Sequence, residues 1–337
     1  MGKVFFGVEL HEYYDAATVM AEIELAEKLG YDAVWLGDSQ TIWREMYVLL
    51  GAAAKSTSRV LLGTGVTNPI TRLPVVTASA ITTLQELSGG RAVLGVGTGD
   101  SSVRTLGIKP ATLSTLEEFV KQVRALCSGE TVVTPNREIQ LAFGAPDKRP
   151  PIVVAATGPR GLQLAGRIGD GVIFYTGRAQ STFQKALGYI QAGMKERTEP
   201  ADNFQLIFAR PVAIDADRKR ACAAVRPHVA RTLLTYPWDM SEPAARAKEK
   251  LTAAYNYYEH MNPNALHREI IPDEIVPEFA IAGTPDDCRE QVSELFDHGI
   301  DQLHVRPYAV DGVSRMSMIE TFAKEIMGPL RLPGRTT

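Results

Sequence analysis

Carboxylates beside glycine-rich turns are the residues of this chain best placed to do chemistry. Ala92 to Val96 is a short apolar run that ends in Gly97-Thr98-Gly99-Asp100, and Val60 to Leu62 is another that runs into GTGVTN. Strands that end in glycines let a flat ligand come close to the backbone, and Asp100 sets a carboxylate beside that surface. Asp38 and Ser39 close a third run, AVWL, while Glu9 and His11 close a fourth, VFFGVEL. Thr157-Gly158-Pro159-Arg160-Gly161 follows IVVA and leads into a helix. Free N–H groups at a helix start, together with the helix dipole, attract an anion, and Arg160 adds a charge-assisted contact. Each motif also has a plainer reading: tight turns, an ordinary strand–helix connection, or a helix N-cap at Asp100.

The elements that would position these groups alternate. Val4 to Leu10 reads as a strand, and Asp15 caps a helix that stops at Gly30. Ala33 to Leu36 is the second strand, followed by a helix through Tyr47–Ala54. In the third unit Pro74 opens a helix where its missing N–H costs nothing. Val75, Ala78, Ile81, Leu84 and Leu87 give that helix one apolar face, and Gly89–Gly90 stop it. A helix over Leu116–Leu126 precedes Gly129 to Asp147, which reads as a β-hairpin insertion. Ile152–Ala155 and Gly171–Tyr175 are strands five and six, Phe204–Ile214 holds strand seven, and Gln302–Val305 is strand eight. Thr235 to Gly283 reads as a mostly helical insertion. Pro285–Phe296 and Met316–Met327 are the last helices.

Eight strands alternating with helices favour a (β/α)8 TIM barrel with insertions at about 129–150 and 235–283, as one domain over 1–337. A doubly wound open sheet is the alternative. No GxGxxG follows a strand and no GxxxxGK[ST] occurs, so neither a Rossmann site nor a P-loop is supported. In the barrel, Glu9, Asp38, Gly65, Asp100, Thr157, Thr176 and Arg306 should ring one mouth.

The totals bound the class. The chain has 337 residues, 45% of them hydrophobic, with 36 Lys+Arg against 39 Asp+Glu. This is enough for a large core, and the slightly acidic balance suggests neither a nucleic-acid stripe nor a membrane-binding patch. No apolar run reaches the roughly 18 residues of a spanning helix, and MGKVFFGVEL does not read as a signal peptide. Cys127, Cys222 and Cys288 are scattered and odd in number, which points to reduced thiols in a cytoplasm. The histidines show no HExxH or CxxC partner, so no metal site is expected.

GTGVTNPITRLPVVTASAITTLQELSGGRAVLGVGTGD resembles the bacterial-luciferase-like family of flavin- and deazaflavin-dependent oxidoreductases, and most of all the branch that holds the coenzyme F420-dependent methylenetetrahydromethanopterin reductases. Weaker likeness runs from the N-terminus to about Gly177 and returns near the C-terminus. The resemblance implies a luciferase-like barrel that holds F420, or alternatively FMN. It places the cofactor phosphate at Thr157, Gly158, Pro159 and Arg160. Gly65, Val66, Thr67 and Asn68, with Gly97, Thr98 and Gly99, fall beside the ring. Gly65-Val66 matches the position of a non-prolyl cis peptide whose bulge presses on the ring. Thr176 and Gly177 resemble a second wall.

For catalysis the resemblance points to Asp38, Ser39 and Asp100. Asp100 matches a proton donor or substrate contact of deazaflavin relatives. Ser39 stands where a histidine is frequent, and a serine without a base is a weak proton donor. Glu9, His11, Trp43 and Arg306 are the candidate substrate contacts, with loop packing as the other reading for Trp43. His304, inside a strand, reads as buried and structural. The leading expectation is hydride transfer between F420 and a small organic substrate. The alternatives are a two-component monooxygenase that uses reduced FMN from a separate flavin reductase, and a non-catalytic flavin-binding protein. A homo-oligomer, dimer or higher, is the expected assembly.

Overall fold

A computed structural model describes residues 5–11, 13–198, 203–262 and 264–331. The expected strand start at Val4 lies outside them. Eight strands carry the fold: β1 (Phe5–Leu10), β2 (Ala33–Leu36), β3 (Leu61–Thr64), β4 (Ala92–Val96), β5 (Ile152–Ala155), β6 (Gly171–Phe174), β7 (Gln205–Ile214) and β8 (Gln302–Pro307). All pair in parallel in chain order, and β8 pairs with β1 in register Phe5 to Gln302, which closes the ring. The open-sheet alternative is thereby excluded. Helices α1 (Ala16–Lys28), α2 (Met46–Ser56), α3 (Pro74–Leu87), α4 (Leu113–Cys127), α5 (Pro159–Ile168), α6 (Gln180–Lys195) and α7 (Arg218–Thr235) follow β1 to β7. Helix α8 (Glu242–Ala254) and α9 (Pro285–Asp297) precede β8, and α10 (Arg315–Phe322) follows it.

The strands are buried on both faces, as parallel sheets require. Their outward side chains join the helices in one large core that includes Phe6, Leu36, Leu62, Val154, Phe174 and Phe208. The inward set is small and holds Trp35, Val93, Val153, Ile173, Ile207 and Ala209. Trp35 fills the barrel interior, and its neighbours on β1 and β3 make room for it. A Cβ on Gly63 would lie 2.3 Å from its ring, and one on Gly7 2.8 Å from its indole nitrogen.

Local signals behave as their chemistry predicts. The Asp15 carboxylate accepts from the Thr18 N–H at the start of α1, and Pro74 occupies the first turn of α3. Gly89 and Gly90 end α3 at φ 64° and 92°, a region glycine enters freely. The hairpin expected within Gly129 to Asp147 is a short antiparallel pair, Val132–Val133 with Glu138–Ile139. The segment from Thr235 to Gly283 holds α8 and several short helical turns, but it ends in a strand that was not expected. Ile281–Gly283 pairs in parallel with Val212–Ile214 on the outer side of β7. The final helix, expected to run unbroken to Met327, passes at Ala323 into a π-helical turn.

Candidate active site

A cavity of about 660 Å³ opens at the C-terminal mouth of the barrel. Its floor is small and apolar, formed by Val66, Ala155, Ile173 and Ala209. Val66 reaches the floor because the chain bulges after β3. The Gly65–Val66 peptide is cis. Pairing with β4 resumes at Thr67, which donates its N–H to the Gly95 carbonyl at 3.0 Å and accepts from the Gly97 N–H at 2.9 Å. Gly95 has no alternative, since a Cβ there would fall 2.1 Å from the Thr64 carbonyl oxygen.

One end of the cavity is a backbone cradle. Gly158 is the N-cap of α5, and no side chain caps that helix start. Thr157, Gly158, Pro159, Arg160 and Gly161 line this end. At φ −92° any residue fits at Gly158, and a Cβ there would meet no protein atom within 4 Å. The space over the glycine therefore belongs to no part of the chain, and it faces unpaired N–H groups at a positive helix end.

The other end gathers charge. Glu9 of β1 lies 3.1 Å from His11 Nε2 and 2.7 Å from His304 Nε2, and it accepts a hydrogen bond from Arg306 Nε. Burial pushes the Glu9 carboxyl up, but Arg306 and the two histidines overcome this and hold it well below the ordinary carboxylate range. Burial pulls His304 and His11 down, which keeps both neutral. The His304 ring stacks on Trp35 at 5.3 Å, so the barrel plug also orients a wall of the site. Asp38 is tied into the wall instead of being free to react. Arg72 donates to both its oxygens, Nε at 2.8 Å and Nη2 at 3.0 Å, and Thr67 Oγ1 donates at 2.6 Å.

Above the floor sit Trp43, Asp100, Arg104, Arg231, His260 and Met261. Trp43 is backed by the His11 ring, stacked at 4.9 Å. His260 Nδ1 lies 2.9 Å from the Tyr255 hydroxyl, and its carbonyl accepts from the Tyr13 hydroxyl. Burial lowers the His260 pKa to about 3, so the ring is neutral at physiological pH. Met261 follows at φ 57°, the one non-glycine positive φ among the described residues, and the two residues turn into the cavity together.

The structure places the expected site residues in different ways. Asp100 lines the cavity, but it neither caps a helix through its side chain nor holds a proton. Arg104 Nε donates to one oxygen at 2.9 Å and Arg231 Nη2 to the other at 3.1 Å. Burial raises its pKa, and Arg231, His260 and Arg104 more than reverse this, leaving a carboxylate. Ser39 is buried behind the wall, with its hydroxyl 2.8 Å from that of Ser101. Thr67 and Asn68 also sit behind it. Asn68 Oδ1 accepts from the Ile70 and Thr71 N–H groups and so shapes the loop. Thr176 Oγ1 turns back to the Gly177 carbonyl, and it is Tyr175 that lines the cavity. His11 supports Trp43 and Glu9 from outside the cavity. Glu9, Asp38, Trp43, Gly65, Val66, Gly97, Thr98, Gly99, Asp100, Thr157, Gly158, Pro159, Arg160 and Arg306 do line it.

Arg72, Arg231, His260 and Met261 were not legible as site residues. Arg72 lies inside the family-like motif, two residues before α3, but nothing local ties it to Asp38. The other three come from α7 and the segment after it, where the sequence shows no repeat. His304, read as structural, lines the cavity beside Glu9.

A closed parallel barrel with a cavity of about 660 Å³ at its C-terminal mouth defines the chain as a (β/α)8 barrel of the enzyme type. Residues 3–302 match the luciferase-like monooxygenase family. The chain belongs to that family and is an enzyme of it. A 5,10-methylenetetrahydromethanopterin reductase from Methanolobus tindarius is 33% identical over 336 residues, which cover 96% of this chain and 99% of the relative. An F420-dependent glucose-6-phosphate dehydrogenase from Beutenbergia cavernae is 29% identical, covering 95% of each. The structure of the coenzyme F420-dependent tetrahydromethanopterin reductase from Methanopyrus kandleri superposes with a TM-score of 0.79 at 24% identity, over 97% of this chain and 99% of that one. That likeness is one of fold.

Proposed function

We propose that this protein is an F420-dependent oxidoreductase that moves a hydride between the deazaflavin ring and a small organic substrate. The carrying observation is the shape of the cleft. A flat apolar floor at Val66, Ala155 and Ile173 leads to a cradle at Gly158 that a side chain would fill. The F420-dependent relatives, similar along nearly their whole length, support the choice of F420 over FMN.

The cleft fits such a cofactor on its own chemistry. The backbone N–H groups at the start of α5, with Arg160, would hold the phosphate, and the Gly65–Val66 bulge would back the ring. When bound, the cofactor supplies the hydride chemistry, and the chain supplies position, charge and the exclusion of water. Trp43, His260 and Met261 roof the floor and leave a sheltered space for substrate. Glu9, a carboxylate fixed by Arg306 with neutral His304 beside it, sets the charge at this end of the cleft. Asp100, Arg104 and Arg231 form a charged frame that keeps the roof in place and does not itself supply protons.

The similarity to a reductase and a dehydrogenase supports an enzyme over a non-catalytic flavin-binding protein. Fluorescence titration of the purified protein with F420 and with FMN, followed by stopped-flow turnover with and without oxygen, tests the proposal. Tighter F420 binding and anaerobic turnover are expected. Strict oxygen dependence with reduced FMN would overturn it in favour of the two-component monooxygenase.

A further inference from the structure

The charges that line the cavity do not cancel. Glu9 is closed onto Arg306, and Asp38 onto Arg72. His260 and His304 are held neutral by burial. That leaves Arg160 at the cradle, and Arg104 and Arg231 at the roof against the single carboxylate of Asp100. Each end of the cavity therefore carries one cation in excess. The excess at the cradle suits the phosphate of a cofactor. The excess at the roof has no counterpart among the described residues.

The two roof guanidiniums are spent to different degrees. Arg231 Nη1 donates to the Tyr175 hydroxyl at 2.8 Å and to Thr235 Oγ1 at 3.1 Å, and Nη2 donates to Asp100 at 3.1 Å. Arg104 reaches Asp100 through Nε alone, at 2.9 Å, with its guanidinium over the Tyr257 ring at 5.3 Å. Arg104 Nη1 and Nη2 donate to nothing among the described residues, and the side chain is 39% exposed. Arg231 thus fixes Asp100, while Arg104 keeps the outer two nitrogens of its fork for another partner. Trp43, His260 and Met261 line the same cavity and are buried, which lowers the local polarity and strengthens any charge pair formed there.

Parallel N–H groups of one guanidinium match the two oxygens of a planar carboxylate. We propose that the substrate is a small organic acid whose carboxylate docks on Arg104 Nη1 and Nη2, with its reacting carbon over the apolar floor. A carboxylate restores the balance of charge at the roof, whereas a dianionic phosphate would overshoot it by one. The inference rests on the reading of the cleft as an F420 site and adds the substrate class.

Saturation-transfer NMR on the full chain tests this, with butyrate as the probe and butyramide as its uncharged isostere, at constant ionic strength. Saturable binding of butyrate is expected in the wild type and in Arg160→Gln, with far weaker binding of butyramide. Arg104→Gln should weaken butyrate binding by roughly tenfold or more, as for hydrogen bonds between charged groups. Arg104→Lys, which keeps the charge and loses the fork, should recover part of it. Equal binding of butyramide, no binding of butyrate, or full binding by Arg104→Gln overturns the site. Fluorescence titration with F420 separates this from the cofactor reading. Arg104→Gln should bind F420 as the wild type does, and butyrate should still bind to the loaded protein. Displacement of butyrate by F420 would assign the fork to the cofactor and overturn the substrate class. A wild type that binds butyrate but not F420 would instead reject the cofactor.

Discussion

Gly158 and Asp100 show how differently single residues act around one cavity. At Gly158 the backbone is ordinary and the space above it open, so Gly158→Asp should fold normally while placing a carboxylate where an anion is wanted. Cofactor affinity measured by fluorescence should fall at least tenfold, about 1.4 kcal/mol. Unchanged affinity in the folded variant would put the phosphate elsewhere. At Asp100 the charge is already committed to Arg104 and Arg231. Asp100→Asn should therefore reveal itself first as lost stability, about 1.5–3 kcal/mol in chemical denaturation, as for hydrogen bonds to charged groups. Ser39→Ala removes only a hydroxyl pair behind the wall, and steady-state turnover should change by less than about the 1 kcal/mol of one neutral hydrogen bond.

At the scale of elements, the cradle depends on how closely α5 packs on α6. Two glycines permit the approach. A Cβ on Gly193 would fall 1.8 Å from the Gln163 carbonyl oxygen, and one on Gly166 would fall 2.1 Å from that of Ile190. Both obstacles are backbone, so the helices must separate to admit a methyl group. Gly193→Ala should lower stability by about 1–3 kcal/mol, as overpacking does. Because α5 carries the cradle at its start, cofactor binding should weaken in the same variant, although residue 193 touches no part of the cavity. A variant with lost stability and intact affinity would show that the helix start is held independently, through its loop from β5.

At the scale of the whole molecule, the mouth is assembled around buried neutral histidines. His260 has its pKa lowered to about 3 by burial, and His11, His228 and His304 are lowered by the same cause. In the unfolded chain these rings take a proton near pH 6.5. Below that pH the unfolded state binds protons that the folded state refuses, so stability is full above about pH 6.5 and falls as the solution is acidified. Each such ring steepens the fall by up to about 1.4 kcal/mol per pH unit. Urea unfolding at pH 7.5, 6 and 5 should show the decline, and His260→Gln should flatten it. A profile identical in wild type and variant would mean that His260 is protonated in the fold.

What the sequence determined by itself was local or periodic. Strand endings, the proline and glycine boundaries of α3, the cap at Asp15 and the alternation that makes a parallel barrel all follow from short-range chemistry. So did the glycine turns and the helix start at Gly158, because a backbone cradle needs no distant partner to be recognised. The direction and state of the charged side chains at the mouth were decided largely by tertiary structure. Asp38 is paired by Arg72, 34 residues away, and Asp100 by Arg231, 131 residues away. Arg104, four residues after Asp100, was a local partner within reach, but nothing near either aspartate foretells Arg72 or Arg231. Ser39, Thr67 and Thr176 sit at the right strand ends yet turn away from the cavity, since one position at the end of a strand decides inside from outside. The roof at His260 and Met261 comes from a segment with no periodicity. Its place over the cleft is set by contacts with Tyr13, Tyr255 and Trp43 that only the folded chain brings together.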